Sequence, residues 1–293
     1  MSADPRLSTV LAPDGARIAV RGHAAPAGTA EGPTLVLAHG WCLAAETWDR
    51  VVAELQARRP HLRVITYDQP GHGLSTPGHD RQVSLLDLGA TLREVIAETA
   101  PEGDVVLGGH SMGGMTVMAL AQVAPELFAE RVRGAALVGT ASWLGTRRPI
   151  TGEGIAMAVL GRLPAGTRGL PTTPRLTAAN LFGTDPDPQA VRATGRLTSR
   201  TRANVVADWH RAIGELDFRD HLAPFAGVRT VVLTGARDRL TPVSAGRRLA
   251  AGIPGADFWS VPRVGHMITY EAPRLVADKI ELLLDAPAAS DRA

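Results

Sequence analysis

The chain has 293 residues, 45% of them apolar and 20% charged, which suits one large globular domain with an insertion, or two domains at most. Its 31 basic and 29 acidic residues leave a formal net charge of +2, and the arginine pairs at 58–59, 147–148 and 247–248 are scattered, which excludes a nucleic-acid-binding stripe. A single cysteine, Cys42, excludes an intrachain disulfide and a cysteine-built metal site, and no apolar run reaches the ~18–20 residues of a stable membrane insertion.

The opening Met-Ser-Ala-Asp-Pro-Arg carries no signal pattern, so a cytoplasmic protein is expected. Thr9-Val10-Leu11 and Arg17-Ile18-Ala19-Val20 flank Asp14-Gly15 and predict an antiparallel hairpin. Short apolar runs follow at 35–37, 64–65, 105–107, 135–138 and 231–233. They are too brief for helices and do not alternate, as buried parallel strands do not. Between them, Leu85, Leu88, Leu92, Val95 and Ile96 share one face of a helix over 84–100, which Ser84 and Asp87 open as a capping box. Val276, Ile280, Leu283 and Leu284 give a last helix its apolar side. The alternation predicts an α/β fold, a mostly parallel central sheet with helices on both faces.

From 142 to 227 no strand-like run occurs, and a structureless loop of that length does not fit a compact domain. Val206, Trp209, Ile213 and Leu216 predict a helix over 199–216, and the Gly- and Pro-rich stretch from Gly161 to Pro174 predicts a looser lid. The chain therefore divides into core at 1–141, helical cap at 142–227, core again at 228–285, and a frayed Ala/Pro-rich tail at 286–293.

Gly109-His110-Ser111-Met112-Gly113 fits G-x-S-x-G between a strand and a helix, the setting of a nucleophile elbow. A sharp turn there forces the serine toward unfavourable backbone angles, and side chains two residues either side would strike neighbouring backbone. A serine hydroxyl needs a base, and the base needs a third group to hold its tautomer. Asp238 follows the strand at 231–233, and His266 follows a strand at 258–261, so both fall on the carboxyl edge of the sheet in the order this elbow requires. His39-Gly40-Trp41 ends another strand, where Trp41 N–H suits one oxyanion donor and Met112 N–H the second.

Through H-G-W, Y-D-Q-P-G-H-G-L-S, G-H-S-M-G-G, G-A-R-D-R-L-T-P and V-G-H-M, the chain resembles the α/β-hydrolase superfamily, in its capped serine-hydrolase branch of esterases, lipases and perhydrolase-like enzymes. The likeness covers about 1–141 and 228–285; the cap carries no such motif. It implies a catalytic triad of Ser111, Asp238 and His266, oxyanion donors at Trp41 and Met112, and a small-molecule acyl substrate. No metal or organic cofactor is implied, since the triad supplies nucleophile and proton traffic. Oligomeric state is open, a homodimer included.

Other candidates read as supporting residues. Asp68 precedes the nucleophile and suits a structural hydrogen-bonding role, and His72 and His110 suit packing or hydrogen bonding rather than proton transfer. His39 shapes the oxyanion loop. His23, His61, His79 and His210 have no companions at metal-ligand spacing. Cys42, His110 and Met267 are the candidate substrate-contacting positions. Met115, Met118 and Leu120 face the core from the elbow helix. The motifs point to carboxylic ester cleavage of a small-to-medium hydrophobic substrate. They leave open a thioesterase, C–C bond hydrolase, perhydrolase or biosynthetic acyltransferase or cyclase on the same triad, and also a non-catalytic ligand-binding protein on this fold.

Overall fold

The computed structural model describes residues 5–23, 32–79, 82–145, 153–164, 166–169 and 172–288. The N-terminal hairpin pairs β1 (Arg6–Leu11) with β2 (Arg17–His23) in antiparallel register, Val10 opposite Ile18. Then come β3 (Thr34–Ala38), α1 (Asp49–Arg58), β4 (Val64–Tyr67), α2 (Leu85–Thr99), β5 (Val105–His110), α3 (Met112–Val123), α4 (Pro125–Arg131) and β6 (Val132–Val138). Four further helices follow: α5 (Glu153–Leu160), α6 (Pro174–Leu181), α7 (Pro188–Arg200) and α8 (Ala203–Gly214). The chain closes with β7 (Arg229–Gly235), α9 (Val243–Ala251), β8 (Asp257–Val261), α10 (Ile268–Glu271) and α11 (Pro273–Leu284).

The eight strands form one sheet in the order β1-β2-β4-β3-β5-β6-β7-β8. β2 joins β4 antiparallel, and every pair from β4 to β8 is parallel. Because successive strand side chains point to opposite faces, each apolar run feeds two cores. Val36, Val105, Leu107 and Leu137 pack with α2 and α3, whereas Leu35, Leu37, Val106 and Leu233 pack with α1 and α11. This two-sided burial is why the strands read as continuous apolar runs.

α2 begins at the expected cap, Ser84 N–H donating to Asp87 Oδ2 at 2.7 Å, and the five residues assigned to its face are buried. It lies so close to α3 that a Cβ on Gly89 would approach the Ala119 carbonyl carbon to 2.6 Å.

The helix expected over 199–216 is instead the end of α7, a break, and α8. Thr201 is extended because its carbonyl accepts from Gly169 N, Arg202 bridges Arg168, and Ala203 N donates to the Thr167 carbonyl. Backbone groups used in that crossing are lost to helix continuity. Part of the stretch read as a looser lid, residues 165 and 170–171, lies outside the described residues, and so do 146–152. In the tail, Ala286 is buried and bonds back to Leu283, while 289–293 lie outside the described residues. No single described helix is long and apolar enough to cross a membrane.

Candidate active site

Ser111 sits between β5 and α3 at φ 55°, ψ −118°. This left-handed conformation costs a non-glycine residue about 1–3 kcal/mol and persists only where surroundings fix it. Here Ser111 N–H donates to the Val138 carbonyl at 2.9 Å, and its own carbonyl accepts from Thr140 Oγ1 at 2.8 Å and Gly114 N at 2.9 Å. A side chain at Gly109 would collide with the Gly113 carbonyl, and one at Gly113 with the Ala38 carbonyl. The glycines thus let the turn fold tightly against β3.

Asp238 lies in the turn after β7, with His266 in the loop after β8; they are 6% and 4% exposed. Asp238 Oδ2 accepts from His266 Nδ1 at 2.8 Å and from Thr241 Oγ1 at 2.7 Å. Its Oδ1 accepts from the amides of Leu240 and Thr241 at 2.8 and 2.9 Å. Burial alone would raise this carboxyl, but the facing imidazole charge and hydrogen bond, together with the Thr241 donors, outweigh it and hold the group below the ordinary carboxylate range. With Nδ1–H committed to Asp238, the neutral imidazole presents Nε2 as an acceptor.

Ser111 and His266 line one cavity of about 320 Å³. Ser111 Oγ has no hydrogen-bond partner among the described residues. The cavity wall is apolar at Leu176, Leu181, Leu240 and Met267, and neutral polar at Thr177 and Asn180. A larger cavity, about 420 Å³, lies at the amino ends of the strands beside Arg58 and Arg59, whose charges are taken by Asp278, Glu281 and Asp285. It is remote from Ser111, so cavity size does not mark the site.

The H-G-W loop rests against the elbow: a Cβ on Gly40 would come within 3.1 Å of Ser111 Cβ. His39 donates from Nδ1 to the Gly40 carbonyl at 2.7 Å, and its Nε2 accepts from Gln69 N at 2.9 Å. Both nitrogens are therefore spent on backbone, and burial lowers its pKa to about 4. The Gln69 side chain donates to the His39 carbonyl and accepts from Thr116 Oγ1 at 2.7 Å, bracing the loop against α3. The amides of Trp41 and Met112 bond to no acceptor among the described residues; Met112 opens α3, where first-turn amides lack intrahelical partners. Trp41 Nε1–H reaches the Val206 carbonyl of α8 at 3.2 Å, and its ring lies against His210.

Of the candidate contact residues, Cys42 and Met267 line the cavity, and burial pushes the Cys42 thiol well above its ordinary range. His110 lies outside the cavity wall. It is fully buried, donates from Nε2 to the His266 carbonyl at 2.8 Å and lies tilted against the His266 ring with centroids 4.9 Å apart, while burial and the neighbouring imidazole lower its pKa to about 3. Asp68 accepts from Ala45 N and Leu74 N, both at 2.8 Å, and His72 donates to the Pro70 carbonyl at 3.0 Å. Thr241, Gln69 and Glu271 were not singled out from the sequence. Thr241 alone left a signal there, three residues after Asp238 in a turn, where a hydroxyl readily bonds back to the carboxylate.

A parallel sheet that carries a strained serine at one strand end, and a buried carboxylate–imidazole pair at two others, defines a hydrolase of the α/β type. Residues 35–279 match the model of the alpha/beta hydrolase family, and the chain belongs to that family. It is 28% identical over 244 residues to the pimeloyl-[acyl-carrier protein] methyl ester esterase of Chromobacterium violaceum, which covers 80% of this chain and 88% of the relative. The corresponding esterase of Vibrio vulnificus is 26% identical over 250 residues, with the same coverage. Among solved structures, a hydrolase from Pseudomonas aeruginosa PA01 matches with a TM-score of 0.78 at 27% identity, over 96% of this chain and 99% of the other. The enol-lactonase of Burkholderia xenovorans LB400 shares the fold, with a TM-score of 0.77 at 22% identity over 95% and 99%.

Proposed function

We propose that the protein is a serine ester hydrolase working through an acyl-enzyme. The observation that carries this reading is the buried 2.8 Å Asp238–His266 pair opening onto the same cavity as Ser111. Ser111 Oγ attacks the ester carbonyl as His266 Nε2 takes its proton, and Asp238 holds the imidazole and stabilises its cation. The amides of Trp41 and Met112 receive the oxyanion, each such donor contributing roughly 2.7–4 kcal/mol to transition-state stabilisation. His266 then protonates the leaving alcohol, and a water activated by the same nitrogen releases the acid.

Residues 142–227 act as a cap over the core, with α6 supplying the acyl wall. That wall holds no carboxylate, lysine or arginine among the described residues, which supports an uncharged, small-to-medium acyl group. The relatives' names, both esterases, support ester over thioester or C–C cleavage. A panel of p-nitrophenyl esters of graded acyl length, run beside thioester and amide analogues, tests the reading. Ester turnover that Ser111→Ala abolishes is expected. Turnover that survives Ser111→Ala, or none with any ester, overturns it.

A further inference from the structure

α6 lines the cavity with Leu176, Thr177, Asn180 and Leu181, and its C-terminal end is bonded to the segment that bears His266. The Leu181 carbonyl accepts from the amides of both His266, at 2.8 Å, and Met267, at 3.1 Å; Thr184 N–H donates to the Arg263 carbonyl at 2.7 Å. The Glu271 carboxylate spans the two segments. Its Oε2 accepts from Gly183 N at 2.7 Å and its Oε1 from Gly265 N at 2.9 Å. A Cβ on Gly183 would collide with the Arg263 carbonyl, and one on Gly265 with the Phe182 backbone, so the chains touch without intervening side chains. Phe182 packs with Met267 and Tyr270 in a separate buried apolar cluster. Half-burial raises the Glu271 carboxyl, and the two amides pull it back toward the ionised form. No step of the acyl transfer described above uses this group.

We propose that Glu271 is a positioning residue that ties the end of α6 to the His266 loop, so that the acyl wall and the general base move as one body. The inference rests on the reading of His266 as the base. α6 is then a fixed wall rather than a swinging lid, and its fit to the acyl group is felt at the imidazole.

Glu271→Gln keeps the shape but turns one acceptor into a donor aimed at an amide; Gly183→Ala forces a methyl into the same contact from the other side. The readouts are kcat and KM on p-nitrophenyl esters from acetate to decanoate, and the downfield proton resonance of His266 Nδ1–H. In Glu271→Gln, kcat on the longer esters is expected to fall on the order of 10- to 100-fold, as for misplacement of a catalytic group by about 1 Å. KM should change little, the acetate ester should suffer least, and the downfield proton should shift or broaden. In the double variant, the two effects on kcat should be less than additive. Unchanged kcat across the panel with the proton in place overturns the proposal. His266→Ala is the control. Wild-type turnover there sinks the assignment of the base, whereas an inert Glu271→Gln beside a dead His266→Ala sinks only the tie. Should the variants not fold, hydrogen exchange on the wild-type protein decides. The amides of Gly183, Gly265, His266 and Met267 are expected to open together and slowly, and fast independent exchange of Gly183 overturns the proposal.

Discussion

Ser111 is placed by backbone more than by its own side chain: four hydrogen bonds to its amide and carbonyl hold it at φ 55°. Ser111→Ala is expected to lose on the order of 10⁶ in kcat, as in other serine triads. Ser111→Gly should lose activity equally while raising stability by about 1 kcal/mol, because glycine relieves the left-handed strain; a thermal melt that shows no gain contradicts the strain account. Asp238 accepts four hydrogen bonds, and asparagine can reproduce only part of that set. With Oδ1 held by the two amides, the new NH₂ meets His266 Nδ1–H donor to donor and favours the wrong tautomer. Asp238→Asn should therefore cost about 10⁴ in kcat with KM little changed, and near-normal turnover would reassign the acid. The serine, acid and histidine were legible because strand ends and motif order locate them. Gln69 was not, because a buried bracing hydrogen bond leaves no periodicity and no charge pattern in the sequence, whereas Thr241 left only its place three residues after Asp238 in a turn.

The elements that bury a broad apolar stripe were legible, and those that bury a narrow one were not. α2 and α11 show the 3.6-residue repeat because each packs against other elements along its length. α7 buries only Ala190, Val191 and Thr194, and its remaining positions are largely polar or charged, so its apolar side is too narrow to read as a core face. Its start was nonetheless written in Asp187-Pro188: the Asp187 carboxylate accepts from Gln189 N at 2.8 Å, and proline occupies the first turn. Thr173-Pro174 opens α6 in the same way, Thr173 Oγ1 accepting from Leu176 N at 3.3 Å. The break between α7 and α8 was invisible because it depends on a bridge to residues more than 30 positions away. At this scale, Gly89→Ala is expected to push α3 from α2 and cost about 1–3 kcal/mol, the range for overpacking a filled core. Unchanged denaturant midpoints would show that the helices yield without penalty.

Sheet order assembles the candidate site. β5, β6, β7 and β8 are neighbours, so residues 111, 238 and 266 leave the same edge although the chain separates them by up to 155 positions. The parallel class and that shared edge were legible from recurring apolar runs, but the contacts between α6, α8 and the site loops were not, since no motif marks them. The buried histidines set the acid response of the whole molecule. Burial, the first cause in each, lowers His23 and His39 from 6.5 to about 4, and His72 and His110 to about 3. Between about pH 6.5 and those values the unfolded chain binds more protons than the folded one, so stability is full above pH 6.5 and drains as pH falls toward 3. Asp68 and Glu271, raised chiefly by burial, return some stability as they protonate, and Asp238, held low, withdraws more. The melting temperature should fall steadily from pH 6.5 to 4; a flat profile would show that these imidazoles are hydrated or that the carboxyls balance them.

Phosphonylation of the intact protein asks whether Ser111 is a nucleophile activated by the imidazole of His266. A fluorophosphonate is expected to add once per chain, with peptide mass spectrometry placing the adduct on Ser111. The rate should collapse in His266→Ala. An adduct on another residue, or undiminished labelling of Ser111 in His266→Ala, would mean that His266 does not activate Ser111.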